Sequence, residues 1–247
     1  MRRYSSPGAF SYSFGPGPMS FAVKVLIWTN VGAFLITWLA PAVKVYLGLQ
    51  PAEVLGHYWL WQPVTYMFIH DGPWHILWNM LVLWMFGVEL ERRWGTRFFV
   101  KFYLVSGIGG AALTLLFSVL PFSFGASLFN SLTIGASGAI FGLLLAYAIC
   151  FPDRRIYMYF LFAVPARYFV LIMGAITFLL SLSNVGGTAY AAHLGGLAGG
   201  YLFLTFGRGR PLAELKGRYF KWKMNRLRRK FDIYSGGKAK DWDRRIH

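Results

Sequence analysis

The sequence predicts an all-α membrane protein, a bundle of six transmembrane helices with both termini in the cytoplasm. Of the 247 residues, 56% are hydrophobic and only 14% are charged, whereas a soluble domain carries about 25% charged residues. The apolar residues are gathered in six segments, roughly 21–40, 74–90, 98–120, 136–151, 168–183 and 189–206. Such segments cross bilayers as helices, because a helix satisfies its own backbone hydrogen bonds in lipid.

Basic residues give the six segments a direction. In the predicted topology, 24 of the 25 Lys and Arg residues fall on one side of the membrane, and only Lys44 falls on the other. The positive-inside rule makes the basic side cytoplasmic. Segments two, four and six therefore begin at the outer face and run inward.

Three regions are expected along the chain: a flexible arm over residues 1–18, a membrane domain over 19–207 and a basic tail over 208–247. The tail contains 14 of the 25 Lys and Arg residues. A basic segment directly after a membrane helix is typical of contact with the anionic inner leaflet rather than with nucleic acid. Cys150 is the single cysteine, so an intrachain disulfide is excluded.

Three stretches leave room for other interpretations. Ala40 to Ala42 resemble a signal-peptide cleavage site, but the preceding apolar stretch is long for a signal peptide and five more segments follow. The connection 41–73 is rich in Tyr and Trp, which suits an element at the membrane interface. Residues 156–166 are also apolar, and Pro165 and Arg167 suggest a segment on the membrane surface before segment five.

Polar side chains stand where the inward-running segments begin. Segment two opens with His75 and Asn79, which share one helix face; segment four opens with Ser137, and segment six with His193. Polar groups inside membrane helices are costly and usually functional. The predicted orientation alone puts these four residues at similar depth.

Small residues would let segments four and six touch. Gly138 and Gly142 form one small-residue face just below the serine, and Gly196 and Gly200 form another below the histidine. Close packing would bring a serine hydroxyl within reach of an imidazole base, which the hydroxyl needs to act as a nucleophile. Segment four is short enough to hold Ser137 below the outer surface, where it must face a water-accessible cavity.

Each of these residues also has a simpler interpretation. A serine at a glycine-rich helix start is usually a cap, and a lone His193 or Asn79 would more often join helices by a hydrogen bond. Glu91 and Arg93 are expected to form an interfacial network rather than a site. The agreement in depth among four polar residues favours a hydrolytic site over these separate explanations.

Together these motifs resemble those of the rhomboid family of intramembrane serine proteases, over roughly residues 20–206. The similar motifs are His75-x-x-x-Asn79, Gly135-x-Ser137-Gly138, Ala192-His193-x-x-Gly196-x-x-x-Gly200, and Glu91-x-Arg93-x-Gly95 at the inner end of segment two. The resemblance implies that Ser137 is the nucleophile and His193 its general base. It further implies that His75, Asn79 and the backbone N–H of Ser137 bind the oxyanion. Gly135 would let the loop approach the scissile backbone, and His70 would be structural.

Two positions depart from the family pattern. Gln62 follows Trp61 where the family often has Trp-Arg, and Phe141 replaces a frequent tyrosine that stacks beneath the histidine. Stacking remains available to Phe141, but a hydrogen bond from its side chain does not. Neither change touches a residue with an implied catalytic role.

The resemblance implies an endopeptidase without cofactor or metal that cleaves transmembrane segments of other membrane proteins. Small side chains are expected just before the cut, and the location is expected to be a bacterial inner (plasma) membrane. A non-enzymatic member of the same fold would be favoured only if the Ser137–His193 pair were broken. A channel or transporter would require charged groups inside the membrane segments, which are almost absent here.

Overall fold

The computed structural model describes residues 16–121, 123–158, 162–182 and 189–207. Within these ranges the chain is mostly helical. Ten α-helices are seen, and their bounds are α1 Phe21–Leu39, α2 Ala42–Leu47, α3 Pro51–Gly56, α4 Gln62–Thr65, α5 Pro73–Trp94, α6 Thr96–Ser118, α7 Ser123–Phe129, α8 Ser137–Cys150, α9 Ala166–Leu182 and α10 Ala189–Phe206. A 3₁₀ turn follows α4 at Tyr66–Phe68. The predicted tail and most of the predicted N-terminal arm lie outside the described residues.

Six of these helices correspond to the six predicted apolar segments, with ends that agree within about four residues. Two of them, α1 and α6, are both long and apolar enough to cross a membrane, and α8 and part of α9 are shorter apolar helices. The helical fold class is confirmed by these elements. Six crossings and the orientation of the termini stay predictions.

The all-α prediction was wrong for one connection. Residues Arg155–Met158 and Phe162–Pro165 form two antiparallel strands, β1 and β2, with Ile156 opposite Val164. The segment is rich in β-branched and aromatic residues, which favour strands, and Pro165 cannot continue a helix. The interface location expected for this segment stays a prediction.

Helix α6 lies at the centre of the fold and contacts α1, α3, α4, α5, α7, α8 and α10. Its fully buried side chains include Phe99, Phe102 and Tyr103. The chain divides into two compact units, Met1–Leu204 and Thr205–His247.

The motif Glu91-x-Arg93-x-Gly95 joins three helices. The Glu91 carboxylate accepts hydrogen bonds from the backbone N–H groups of Ala22 and Val23, at 3.0 and 3.1 Å, and from the hydroxyls of Ser20 and Thr96. It therefore caps the N-terminus of α1 from the end of α5. Arg93 lies over the ring of Phe151. Gly95 has φ +80°, a backbone conformation that favours glycine, and makes the turn between α5 and α6.

The long connection 41–73 is a folded unit. The Gln62 side chain, which is fully buried, accepts a hydrogen bond from the backbone N–H of Gln50 and donates to the carbonyls of Val45 and Tyr46. The glutamine thus ties the connection to itself at the position where the family often has arginine. Tyr66, one of the aromatics expected at the membrane interface, is instead buried in the protein core.

Candidate active site

The loop before α8 is held by the connection 41–73. Leu49 and Thr133 exchange backbone hydrogen bonds of 2.9 and 2.8 Å, and the N–H of Gly135 donates to the carbonyl of Tyr66 at 3.0 Å. Gly135 has φ +117°, a conformation that side chains with a Cβ rarely adopt. This turn ends at Ser137, which is the first residue of α8.

The Ser137 and His193 side chains, from α8 and α10, are in contact. Nε2 of His193 lies 2.8 Å from Oγ of Ser137, within hydrogen-bonding distance. The Phe141 ring stacks on the imidazole, with ring centroids 4.2 Å apart and planes at 11°. Because Phe141 is one helical turn after Ser137, the same helix supplies both the hydroxyl and the surface on which the imidazole rests.

Glycines allow α8 and α10 to approach closely enough for this contact. A Cβ atom on Gly196 would overlap the carbonyl oxygen of Gly138 and lie 2.6 Å from its carbonyl carbon. One turn further along α10, a Cβ on Gly200 would lie 3.2 Å from the Cα of Gly142. The small-residue faces expected from the sequence therefore do face each other, with Gly196 at the tightest point beneath the Ser137–His193 contact.

His75 lies on the other side of the Gly135 turn. A Cβ atom on Gly135 would lie 2.7 Å from Nε2 of His75 and 3.8 Å from Oγ of Ser137. The imidazole nitrogen and the hydroxyl therefore border the same small space. Asn79, one turn further along α5, is buried, and its Nδ2 donates to the carbonyl of His75 at 3.0 Å. The amide retains a second hydrogen for another acceptor.

His70 supports the loop from behind. The side chain is fully buried, and the backbone N–H of Ala136 donates to its Nε2 over 3.4 Å. The His70 ring packs edge-to-face against His75 at a centroid distance of 5.0 Å. Burial, with a smaller effect from His75, lowers the pKa of His70 to about 4. A neutral His70 can accept the Ala136 hydrogen bond, and the structural role expected for it stays a prediction.

Sequence reasoning missed two contributors to the site. Tyr66 supplies the carbonyl that holds Gly135, and its hydroxyl donates to the carbonyl of Gly107 in α6 at 2.7 Å. Asp71 donates its backbone N–H to Nδ1 of His75 at 3.3 Å. The Tyr66 carbonyl and the Asp71 N–H are backbone groups, which leave no residue-type signal in a sequence. Over the described residues, no group of three or more His, Cys, Asp or Glu side chains could hold a metal ion.

The fold and site together define a helical protein with apolar helices long enough to span a bilayer and a serine–histidine pair between two of its helices. A family model described as Rhomboid domain matches residues 57–210, which is more than half of the chain. The chain belongs to the rhomboid family. The family resemblance inferred from the motifs is thereby confirmed.

Individual relatives agree with this assignment. Rhomboid protein 1, mitochondrial, of Saccharomyces cerevisiae is 31% identical over 191 residues, covering 73% of this chain and 51% of the relative. Rhomboid protease GluP of Bacillus subtilis is 32% identical over 159 residues, covering 64% of this chain and 28% of the relative. RHOMBOID-like protein 4 of Arabidopsis thaliana is 32% identical over 58% of this chain and 32% of its own length. The chain thus spans about half or less of the length of these relatives.

Proposed function

We propose that this protein is an intramembrane serine endopeptidase that cleaves transmembrane segments of other membrane proteins. The observation that carries the proposal is the 2.8 Å contact between Nε2 of His193 and Oγ of Ser137. Its setting supports the same chemistry, because Ser137 begins a helix and the imidazole of His75 borders the same space. A relative is named as a protease, GluP of Bacillus subtilis.

The first chemical step follows from this contact. Nε2 of His193 accepts the hydroxyl proton while Oγ of Ser137 attacks the scissile carbonyl carbon. The resulting oxyanion would be stabilised by the Nε2–H of His75, the Nδ2–H of Asn79 and the backbone N–H of Ser137. The N–H groups at the start of α8 are not used within the helix, so they favour negative charge at this position.

Collapse of the tetrahedral intermediate and hydrolysis of the resulting ester complete the cycle. His193 returns the proton to the leaving amine as the peptide C–N bond breaks, which leaves an ester on Ser137. Water, deprotonated by the same imidazole, then attacks the ester carbonyl; the bond to Oγ of Ser137 breaks, the acid product leaves, and the imidazole returns the proton to Oγ. Within the described part of the chain, the buried Nδ1 of His193 has no hydrogen-bond partner. This fits a two-residue variant of the serine–histidine–carboxylate arrangement, with Phe141 orienting the ring by stacking.

The membrane setting completes the proposal. Six spans with both termini inside would put Ser137, His193, His75 and Asn79 near the outer end of the bundle, and residues 19–207 would form the protease domain. The lengths of α1 and α6 support membrane crossing, and the distribution of basic residues supports the orientation. The tail 208–247 would lie on the anionic inner leaflet. The compartment proposed is a bacterial plasma membrane, although relatives also include a mitochondrial protein and plant proteins.

Substrates are proposed to be single-span proteins whose helix unwinds easily near its outer end. A scissile peptide in a stable helix cannot present its carbonyl to Ser137, because that carbonyl is already bonded within the helix. Glycine and alanine near the cut would favour unwinding and would fit beside Gly135. No cofactor or metal is required by this chemistry.

The proposal is tested by reconstitution with a model single-span substrate in lipid vesicles. Ser137→Ala and His193→Ala should each lower cleavage by at least about 10³-fold, as expected when one member of a catalytic unit is removed. Ser131→Ala is the matched control, because its hydroxyl bonds only the carbonyl of Ser127 among the described contacts. Mass spectrometry of the fragments should locate the cut near the outer end of the substrate helix. Equal cleavage by wild type and Ser137→Ala would refute the proposed function.

A further inference from the structure

Lys44 is the single basic residue that the predicted topology leaves on the outer side of the membrane. In the structure its Nζ atom lies 2.8 Å from Oδ1 of Asp71. Lys44 belongs to α2, in the middle of the connection 41–73, whereas Asp71 stands two residues before α5. The ion pair therefore ties α2 to the entrance of the helix that bears His75 and Asn79.

Asp71 in turn contacts His75 through its backbone. The N–H of Asp71 donates to Nδ1 of His75 at 3.3 Å, so a side chain in the first turn of α5 reaches back over the start of its own helix. Since a neutral imidazole carries one hydrogen, accepting at Nδ1 places that hydrogen on Nε2. Nε2 is the atom that faces Gly135 and borders the Ser137 hydroxyl.

The backbone between Asp71 and α5 needs an anchor. Gly72 has φ +96°, and a Cβ there would meet nothing within 4 Å, so no neighbouring group packs over this face of the turn. The Asp71 side chain is 72% exposed, and Lys44 is its hydrogen-bond partner. Lys44 also lowers the pKa of the Asp71 carboxyl, chiefly by this hydrogen bond. The charged form of the Asp71 carboxyl is therefore favoured.

We propose that Lys44 and Asp71 are positioning residues for catalysis: they hold His75 in the orientation and tautomer that present an Nε2–H donor to the oxyanion. This inference rests on the proposed function, because it assigns a purpose to the His75 donor. A merely structural ion pair would stabilise the connection without affecting the tautomer or the rate of the chemical step. The two interpretations therefore differ in measurable ways.

Kinetics with the model substrate provide the first test. Lys44→Met and Asp71→Asn should each lower kcat about three- to tenfold with KM within about twofold, because the donor is misaligned rather than deleted. The charge-swapped double variant Lys44→Asp/Asp71→Lys should recover most of the loss. Arg167→Met is the matched control, since it breaks a second ion pair, of 3.0 Å, between Arg167 in α9 and the similarly exposed carboxylate of Asp153 in the α8–α9 connection.

The tautomer provides a second readout that needs no cleavage. In detergent micelles, ¹⁵N NMR of histidine-labelled protein should show His75 with its hydrogen on Nε2, the signal being assigned by its loss in His75→Gln. In Lys44→Met the two His75 tautomers should become mixed. A wild-type His75 protonated at Nδ1 would overturn the proposal.

The outcomes separate this inference from the proposed function. If wild-type cleavage does not exceed that of Ser137→Ala, the proposed function fails, while the NMR experiment still tests whether the Lys44–Asp71 pair sets the tautomer. If the wild type cleaves but both single variants keep full kcat, the positioning role is overturned. The same conclusion follows if Arg167→Met loses as much activity, or if the charge swap recovers nothing.

Discussion

Substituting Gly196 by alanine should separate the His193 imidazole from the Ser137 hydroxyl without altering any group that takes part in the chemistry. Gly196 lies in α10, one turn after His193, and faces the backbone of Gly138 in α8. Neither glycine provides a side chain for substrate or proton transfer. The expected effect is therefore purely geometric, transmitted through the distance between the two helices.

The magnitude follows from the contact distances. A Cβ on Gly196 would lie 2.6 Å from the carbonyl carbon of Gly138, whereas ordinary contacts begin at 3.4 Å. The helices must separate by roughly 0.8 Å to relieve this contact alone, and the carbonyl oxygen is closer still. The same shift would lengthen the 2.8 Å distance between His193 and Ser137 to about 3.6 Å, beyond a hydrogen bond. A displacement near 1 Å can lower a catalytic rate about 100-fold.

The assay is kcat for a model transmembrane substrate, measured on variants whose folded fraction is confirmed by thermal unfolding in mild detergent. Gly200→Ala should lose less activity, because its Cβ would meet Ser106, Phe102 and Gly142 at 3.0–3.2 Å, which requires shifts of only a few tenths of an ångström. Gly32→Ala in α1 is the control, since nothing lies within 4 Å of its Cβ position. Wild-type kcat in a folded Gly196→Ala protein would refute the geometric reasoning.

Two further predictions concern residues that support the site. His70 has a folded-state pKa of about 4, below the value of about 6.5 in an unfolded chain. The unfolded state therefore binds more protons than the folded state as the pH falls. The free energy of unfolding should drop by about 2 kcal/mol between pH 7 and pH 5 and level off near pH 4. Unfolding of His70→Gln should lack this part of the pH dependence, and an unchanged slope would contradict it. Glu91→Ala should lower the free energy of unfolding by about 3 kcal/mol, because it leaves the N–H groups of Ala22 and Val23 unsatisfied. If the melting temperature of Glu91→Ala matched the wild type, the carboxylate would not be the cap of α1.

Much of the fold could be predicted because the bilayer imposes a simple pattern. The helix Phe21–Leu39 coincides with an apolar segment that is visible directly in the sequence, since its exposed side chains are apolar except for Lys24 and Thr29. The same pattern did not predict the structure of the connection 41–73, because its short helices are held by side-chain contacts such as those of Gln62. Those contacts span a dozen or more residues and have no period.

The candidate site was partly predictable for a different reason. Ser137, His193 and His75 are polar residues in apolar surroundings, so composition alone sets them apart. Their proximity could be expected from the glycine faces, and the structure has Ser137 and His193 2.8 Å apart. Their catalytic roles stay predictions. The hydrogen bond from Asp71 to His75 could not be foreseen, because it depends on the loop geometry at Gly72 rather than on residue type.

The strand pair β1–β2 was not foreseen from the sequence either. Residues 156–166 are continuously apolar, and a run of this kind does not distinguish strand from helix by periodicity. Next to the Arg155–Pro165 pair at the base of the hairpin, the N–H of Ala166 donates a further hydrogen bond to the carbonyl of Arg154. The hairpin is therefore stabilised by contacts at its base.

The most direct test of the central claim is to locate the residue that forms a covalent adduct with a fluorescent serine-reactive phosphonate. Mass spectrometry of the labelled, digested protein should find the phosphonate on the peptide that contains Ser137. Labelling should disappear in Ser137→Ala and fall steeply in His193→Ala, because the hydroxyl then lacks its base. Labelling of Ser137→Ala as strong as that of the wild type, or an adduct on another serine, would contradict the claim that Ser137 and His193 form one nucleophilic unit.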